Sequence, residues 1–128
     1  MASAGGQAAR GDAIKCSEPQ VGDAVVATVA GRIDLTNADA LRDQMTEALK
    51  KTKAALVLDL SGVDYMSSAG LRSLMIVFKA AKTEGKALGL AALQPLLLEI
   101  FTISRFHLVF PLFDSVADAT AKLAPGRA

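Results

Sequence analysis

The sequence has few of the residues that form disulfides and metal centres. It contains one cysteine, Cys16, and one histidine, His107, in 128 residues. A single cysteine cannot form an intramolecular disulfide, and it cannot supply a thiolate metal cluster. We therefore expect no metal and no cofactor, and the cysteine count agrees with a reducing cytoplasm.

Aromatic residues and net charge are also scarce. Tryptophan is absent, aromatic residues make up 5% of the chain, and the formal net charge is only +1. So small a net charge gives no field that would hold nucleic acid or an anionic membrane. The few rings cannot form a stacking platform for single-stranded nucleic acid. We expect neither nucleic acid nor membrane among the direct partners.

Long hydrophobic runs are missing as well. The most apolar stretch, residues 87–113, is broken by a proline and by polar or charged residues, namely Gln94, Pro95, Glu99 and Arg105. A membrane-spanning helix needs about 18 apolar residues without such breaks. Residues 1–12 are small and polar and lack the apolar region of a signal peptide. We predict a flexible N-terminal tail at 1–12 and a single domain at 13–128.

Strand and helix patterns alternate along that domain. β-branched and continuous apolar runs predict strands, and apolar residues at helical spacing predict amphipathic helices. The predicted strands are 13–17, 23–33, 54–60, 87–93 and 106–110, and the predicted helices are 36–51, 70–83, 95–103 and 114–123. Such alternation is typical of an α/β fold, here with a mixed, mostly parallel sheet of four to five strands and about four helices.

Local signals mark several boundaries of these elements. Residues 61–64, Ser-Gly-Val-Asp, predict a turn after the central strand. Pro95 is suited to the first position of a helix, and Asp114 to the N-cap of the last helix. Gly85 is suited to the position just after a helix. His107 lies in the apolar run 106–110 and is interpreted as a packed or rim histidine on a strand.

Two adjacent serines, Ser67 and Ser68, lie between the central predicted strand and an amphipathic helix. In open α/β sheets, ligands and partners usually bind at this edge. The simplest interpretation is that Ser67 caps the helix and Ser68 is an ordinary residue of its first turn. A nucleophilic role for Ser68 lacks a base, because His107 lies on a distant predicted strand. We therefore do not expect an enzyme.

Three short segments resemble one known family. Residues 67–72, Ser-Ser-Ala-Gly-Leu-Arg, are similar to the Asp-Ser-Ser/Thr-Gly-Leu pattern of bacterial anti-sigma-factor antagonists, which are small cytoplasmic STAS domains. Residues 31–34, Gly-Arg-Ile-Asp, match a second landmark of that family, and the strand 56–60 with Asp59 is similar to a third. The resemblance extends over residues 13–123 and implies the STAS fold.

The resemblance also implies a function. The antagonist binds an anti-sigma factor, which is a serine kinase of the histidine-kinase-like ATPase fold, and so releases a sigma factor. Phosphorylation of the acceptor serine ends that binding, and a serine phosphatase restores it. By position the acceptor is Ser68. Ser67 is the alternative, because it stands where many members have Asp and so places a second hydroxyl next to that of Ser68.

The resemblance further implies a set of residues that meet the partner. Asp34 and Asp59 are expected to lie near the acceptor, where they orient its hydroxyl or contact the kinase. The whole expected partner-binding set is Asp34, Thr36, Asp59, Ser67, Gly70 and Arg72. If Gly70 lets the kinase approach closely, Gly70→Val weakens binding and leaves the fold intact; an equal loss of thermal stability points to packing instead.

Two other functions are compatible with the sequence. The domain could be a STAS module for another client, such as a transport complex, a stressosome-like assembly or a secretion regulator. It could also bind a small molecule among apolar residues, namely Leu90, Leu97, Phe101 and Phe110. Packing in the core is the simpler interpretation of that apolar set.

Overall fold

A computed structural model describes residues 14–16 and 24–124, so the predicted tail at 1–12 lies outside the described residues. The strands are β1 (Ile14–Cys16), β2 (Ala24–Ile33), β3 (Ala55–Met66), β4 (Ala87–Ala91) and β5 (Leu112–Phe113). The helices are α1 (Ala38–Lys50), α2 (Ser68–Thr83), α3 (Pro95–Ile103), a 3₁₀ turn (Phe106–Leu108) and α4 (Val116–Leu123).

The strands form one five-stranded sheet in the order β1-β2-β3-β4-β5. β1 is antiparallel to β2, and the three remaining neighbouring pairs are parallel. Parallel neighbours need a crossover, and α1, α2 and α3 lie between successive parallel strands in the chain. The predicted α/β class with a mixed, mostly parallel sheet and about four helices is confirmed.

Helices cover the sheet on both faces, which explains the apolar run of the central strand. Leu56 and Leu58 of β3 belong to the larger core cluster, to which α1, α2 and α3 contribute buried side chains. Val57 points to the other face and belongs to the cluster that contains Ala119 of α4. A strand with apolar neighbours above and below reads as a continuous hydrophobic run, as it does here.

The predicted turn at 61–64 is wrong, because β3 continues through it to Met66. The continuation pairs with the second half of β2, as far as Ile33 opposite Met66. β3 has more residues than β2 over this stretch, and two register shifts absorb the difference. The hydrogen bonds to β2 therefore outweigh the local turn preference of the sequence. β2 and β3 together extend beyond the end of β4 at Ala91.

The predicted strand at 106–110 is also wrong. Residues 106–108 form the 3₁₀ turn, and the last strand is β5 at Leu112–Phe113. Phe106 and Phe110 pack edge-on against Phe101, with ring centroids 6.2 and 6.0 Å away. Both rings thus pack into the core from a turn and the residues that follow it, rather than from a strand. His107 is exposed on this turn.

Boundary signals are confirmed in two cases and wrong in a third. α3 begins at Pro95 as expected, and Gly85 has a φ of +73° just after α2, which favours glycine. Asp114 is not the N-cap of α4. The cap is Ser115, whose Oγ accepts a hydrogen bond from the Asp118 amide at 3.0 Å.

The four apolar residues considered for small-molecule binding are core residues. Leu90, Leu97, Phe101 and Phe110 are buried in the larger cluster, with exposed fractions from 0 to 3%. Side chains this well packed leave no room for a ligand among them. The packing interpretation is therefore confirmed.

Truncating Phe101 is expected to destabilise the fold strongly. Its ring is fully buried and contacts two other phenylalanine rings, so Phe101→Ala should lower the free energy of unfolding by about 3–5 kcal/mol. The matched control is Leu108→Ala on the neighbouring 3₁₀ turn, where the side chain is 69% exposed and the change should stay within about 0.5 kcal/mol. Urea denaturation measures both, and equal effects would contradict this account of the core.

Candidate functional site

The two serines occupy different environments where β3 passes into α2. Ser67 is the N-cap: it has an extended backbone, is half-buried, and its Oγ accepts a hydrogen bond from the Gly70 amide at 3.5 Å. Ser68 is the first residue of α2, and its side chain is exposed. The hydroxyl of Ser68 is therefore open to a macromolecular partner, whereas that of Ser67 is engaged in starting the helix.

Two contacts join the start of α2 to the end of β2. The Ser67 amide donates a hydrogen bond to the Ile33 carbonyl at 2.9 Å. Gly70 is buried against the same place, since a Cβ on Gly70 would lie 2.5 Å from Met66 Cγ and 2.7 Å from Ile33 Cγ2. Only a residue without a side chain lets the helix approach so closely. The geometry at Gly70 thus favours packing within the domain over close approach by a partner.

Asp34 organises the loop between β2 and α1. Its Oδ1 accepts hydrogen bonds from the Thr36 hydroxyl at 2.6 Å and from the Thr36 amide at 2.9 Å. Arg32 Nε lies 3.6 Å from its Oδ2. The Thr36 hydroxyl, followed by the Thr36 amide, holds the pKa of Asp34 below its ordinary value of 3.8. Asp34 is therefore ionised at neutral pH, with Oδ1 bound within its own loop.

Asn37 closes this loop instead of capping α1 with its side chain. Its Oδ1 accepts a hydrogen bond from the Asp34 amide, and its Nδ2 donates to the Arg32 carbonyl, both at 2.9 Å. With the loop held in this way, Leu35 projects outward and is 82% exposed. Sequence reasoning missed Leu35. The available signal was a leucine placed between polar residues that form hydrogen bonds within the loop.

Asp59 does not lie beside Ser68, contrary to the expectation from the resemblance. It is paired with Thr28 in the sheet, whereas Met66, at the end of β3, is paired with Ile33. Thr28 and Ile33 are five residues apart on β2, which corresponds to about 16 Å along the strand. The Asp59 carboxylate accepts a hydrogen bond from the Ser61 amide at 3.0 Å. It cannot orient the Ser68 hydroxyl from there.

The exposed face of α2 carries three different side chains in line. Ser68, Arg72 and Ile76 follow one another at four-residue spacing, so they lie on neighbouring turns of one face. All three are exposed, and Ile76 is 44% exposed although it is apolar. Sequence reasoning found the buried stripe of this helix and passed over Ile76. An isoleucine opposite a clear apolar stripe was the signal.

The exposed residues described above lie on α2 and on the loop that begins beside its first turn. The hydrogen bond between Ser67 and Ile33 holds the loop of Leu35 and Thr36 beside the start of α2. We call this the α2 surface and define it by its exposed members, which are Leu35, Thr36, Ser68, Arg72 and Ile76. It offers a hydroxyl, a cation and two apolar side chains, a mixture suited to protein contact rather than to catalysis.

Two other types of site, a metal site and a membrane-spanning helix, are not found in the described part of the chain. Residues 24–124 contain no group of three or more His, Cys, Asp or Glu side chains placed to hold a metal ion. No helix within the same residues is long and apolar enough to cross a bilayer.

Comparisons with known proteins agree with this fold. The STAS domain family matches residues 17–119. BtrV of Bordetella bronchiseptica, named as a candidate anti-sigma factor antagonist, is 32% identical over 108 residues, or 84% of this chain and 93% of that protein. The anti-sigma-F factor antagonist RsfB of Mycobacterium tuberculosis is 29% identical over 102 residues, or 80% of this chain and 83% of that protein.

A solved structure gives the same result. The crystal structure of an anti-sigma factor antagonist from Mycobacterium paratuberculosis has a TM-score of 0.75 and 27% identity, and the match covers 88% of this chain and 95% of that one. A domain with this topology, matched over most of its length by the family pattern, is a STAS domain. The chain belongs to the STAS domain family, and the resemblance to anti-sigma factor antagonists is confirmed.

Replacing Gly70 should destabilise the domain. Gly70→Val places side-chain atoms where Met66 and Ile33 already lie, so we expect a loss of about 1–3 kcal/mol in the free energy of unfolding. Ser68→Val is the matched control, because it puts the same side chain at an exposed position two residues earlier. Its effect should stay within about 0.5 kcal/mol in thermal or urea denaturation. A Gly70→Val protein of unchanged stability would contradict the packing role.

Removing the Thr36 hydroxyl should raise the pKa of Asp34. The pKa of Asp34 is lower in the folded protein than its ordinary value of 3.8. The ionised carboxylate therefore stabilises the fold at pH values above 3.8, and this contribution is lost as the pH falls through the folded pKa. Thr36→Val removes the main cause, so the pKa should move up towards 3.8 in an NMR titration of the carboxyl group. Thr46→Val, on α1, is the control and should leave the pKa unchanged. Equal shifts in both variants would refute the assignment.

Proposed function

We propose that this chain is an anti-sigma factor antagonist whose binding to its anti-sigma factor is controlled by phosphorylation of Ser68. The names and similarity of its relatives support the class of function. The observation that carries the choice of residue is the exposed hydroxyl of Ser68 next to the engaged hydroxyl of Ser67. Unphosphorylated protein binds the anti-sigma factor and so frees a sigma factor for transcription.

The anti-sigma factor in this proposal is also a serine kinase of the histidine-kinase-like ATPase fold. Ser68 Oγ attacks the γ-phosphorus of ATP, the bond from that phosphorus to the β–γ bridging oxygen breaks, and the hydroxyl proton passes to the kinase or solvent as ADP departs. A serine phosphatase later hydrolyses the phosphoserine and releases inorganic phosphate. The chain provides an acceptor and a binding surface, so it is a substrate and binding module rather than an enzyme.

The proposed contacts with the kinase come from the α2 surface. Leu35 and Ile76 offer exposed apolar area, and burying such a side chain fully contributes about 1.5–3 kcal/mol. Arg72 offers a cation to a carboxylate on the partner. Thr36 and Asp34 belong to the loop that follows Ile33, whose carbonyl accepts the hydrogen bond from the Ser67 amide. Gly70 is buried beneath this surface, where it packs against Met66 and Ile33, and Asp59 lies outside the surface.

The charge of a phosphate is large enough to end such binding. Phosphoserine carries about −1.5 to −2 charges near neutral pH. A partner carboxylate about 7 Å away is repelled by roughly 0.6–2.4 kcal/mol per unit charge, for an effective dielectric constant between 80 and 20. For a dianion this amounts to about tenfold to a few thousandfold in affinity. The complex can therefore dissociate without any change of fold.

The proposed location is the cytoplasm, because a partner that uses ATP and controls a sigma factor acts there. The other function considered from the sequence is a STAS module for a different client, such as a transport complex, a stressosome-like assembly or a secretion regulator. Affinity capture with the unphosphorylated chain separates the two. Recovery of an ATPase-fold kinase supports the antagonist, and recovery of transporter subunits without such a kinase contradicts it.

Phosphorylation should depend on Ser68 and not on Ser67. The chain is incubated with the captured kinase and ATP, and intact mass with site mapping measures the product. Wild-type protein should gain one phosphoryl group at Ser68, and Ser68→Ala should gain none. Ser67→Asp is the matched control: aspartate also caps helices well, so the fold and the gain at Ser68 should both persist.

Two results of this experiment would overturn the assignment. One is a mass gain that survives Ser68→Ala, and the other is its loss in Ser67→Asp with the fold intact. Binding gives a second measurement, because enzymatically phosphorylated protein should bind the kinase at least about tenfold more weakly than the unmodified form. Equal affinities would contradict the switch even if Ser68 is the acceptor.

A further inference from the structure

Arg72 is a cation without a carboxylate partner near the acceptor serine. Its side chain is exposed, and it forms no ion pair with any residue of the described chain. By contrast, Arg42 on α1 lies 3.6 Å from Asp39, and Arg32 lies 3.6 Å from Asp34 with its guanidinium 4.4 Å from the ring centre of Tyr65. The guanidinium of Arg72 is therefore available to an incoming anion.

We propose that Arg72 binds the phosphate of phosphorylated Ser68 and forms an ion pair across one turn of α2. Residues four apart on a helix have Cβ atoms about 5–6 Å apart, a distance that phosphoserine and arginine side chains can bridge. An anion placed before a cation at this spacing is the more stabilising order. A guanidinium also fits a phosphate with two parallel hydrogen bonds. The proposal rests on the proposed function only for the choice of Ser68 as the modified residue.

The charged groups on the adjoining loop are already engaged with one another. Asp34 is bound by Thr36 and lies near Arg32, and Arg32 is also stacked on Tyr65. Arg72 can therefore bind a phosphate on Ser68 without breaking an existing ion pair, whereas Arg32 would have to leave Asp34 or Tyr65. In the unmodified protein Arg72 is open to a partner carboxylate. Phosphorylation then acts twice, since it adds negative charge and withdraws the cation from the partner.

The test places phosphoserine at position 68 during synthesis by an expanded genetic code, so no kinase is needed. A ³¹P NMR titration then measures the second pKa of the phosphate, which is about 6 in the absence of other charges. An ion pair with Arg72 favours the dianion, so Arg72→Gln should raise that pKa by about 0.2–0.4 units. Arg72→Lys keeps the charge and should retain part of the effect.

Lys79→Gln is the matched control. It removes one positive charge from an exposed position of the same helix, 11 residues from Ser68, or about 16 Å along the axis. At physiological salt this is about two Debye lengths, so the phosphate pKa should not change. Circular dichroism melting of the unmodified variants checks that each one folds.

Two results would overturn the ion pair: an unchanged pKa in Arg72→Gln, or an equal rise in Lys79→Gln, which would indicate a general field effect. Neither result bears on whether a kinase modifies Ser68, because the phosphate is installed independently. Conversely, a kinase that ignores Ser68 would overturn the proposed function and leave the NMR result standing. The two proposals thus fail separately.

Discussion

The hydrogen bond from the Ser67 amide to the Ile33 carbonyl, together with the close packing at Gly70, fixes the geometry on which the site depends. These contacts join the ends of two parallel strands to the first turn of a helix. The N-cap serine is thereby half-buried, and the next residue, Ser68, faces outward. The same contacts hold the start of the β2–α1 loop alongside, so one small region of packing positions both Ser68 and this loop.

A phosphate at such a position alters a surface more than a fold. The Ser68 side chain lies outside the core, and the start of a helix tolerates negative charge. The charged groups near Ser68 in the unmodified protein are the Asp34 carboxylate, whose pKa is lowered, and the guanidinium groups of Arg32 and Arg72, so one positive charge is in excess. A dianion on Ser68 would change this into an excess of negative charge. A docked protein would sense that excess directly, and the core would not.

The sequence predicted what local physical chemistry determines. Helical periodicity, Pro95 at a helix start and Gly85 after a helix were all read correctly, because each depends on residues a few positions away. The length of β3 was not predicted correctly, because its second half is held by hydrogen bonds to β2 that no local pattern shows. The run 106–110 indicated a strand because it is apolar. The packing of Phe106 and Phe110 against Phe101, which holds the run in a turn, involves a residue outside it and was not visible in the local pattern.

The candidate site shows the same division between local and distant information. The serine pair and its place between a strand and a helix could be predicted from adjacent residues. Leu35 and Ile76 could not, because their exposure depends on how the loop closes and which face of α2 is covered. Asp59 was expected beside the serines from the resemblance alone. Its pairing with Thr28 places it well along the strand from the start of α2, which no local pattern shows.

The serine at position 67 changes the charge of the site without changing its geometry. Aspartate, which many members of the family have there, and serine both cap helices well, so the start of α2 is preserved with either residue. With aspartate, a phosphate on the next residue would face an adjacent carboxylate. With Ser67 it meets a neutral neighbour, and Arg72 lies one turn further along. Repulsion within the domain is therefore smaller in this chain than it would be with aspartate, and the proposed dissociation depends on repulsion of charges on the partner and on the withdrawal of Arg72 from them.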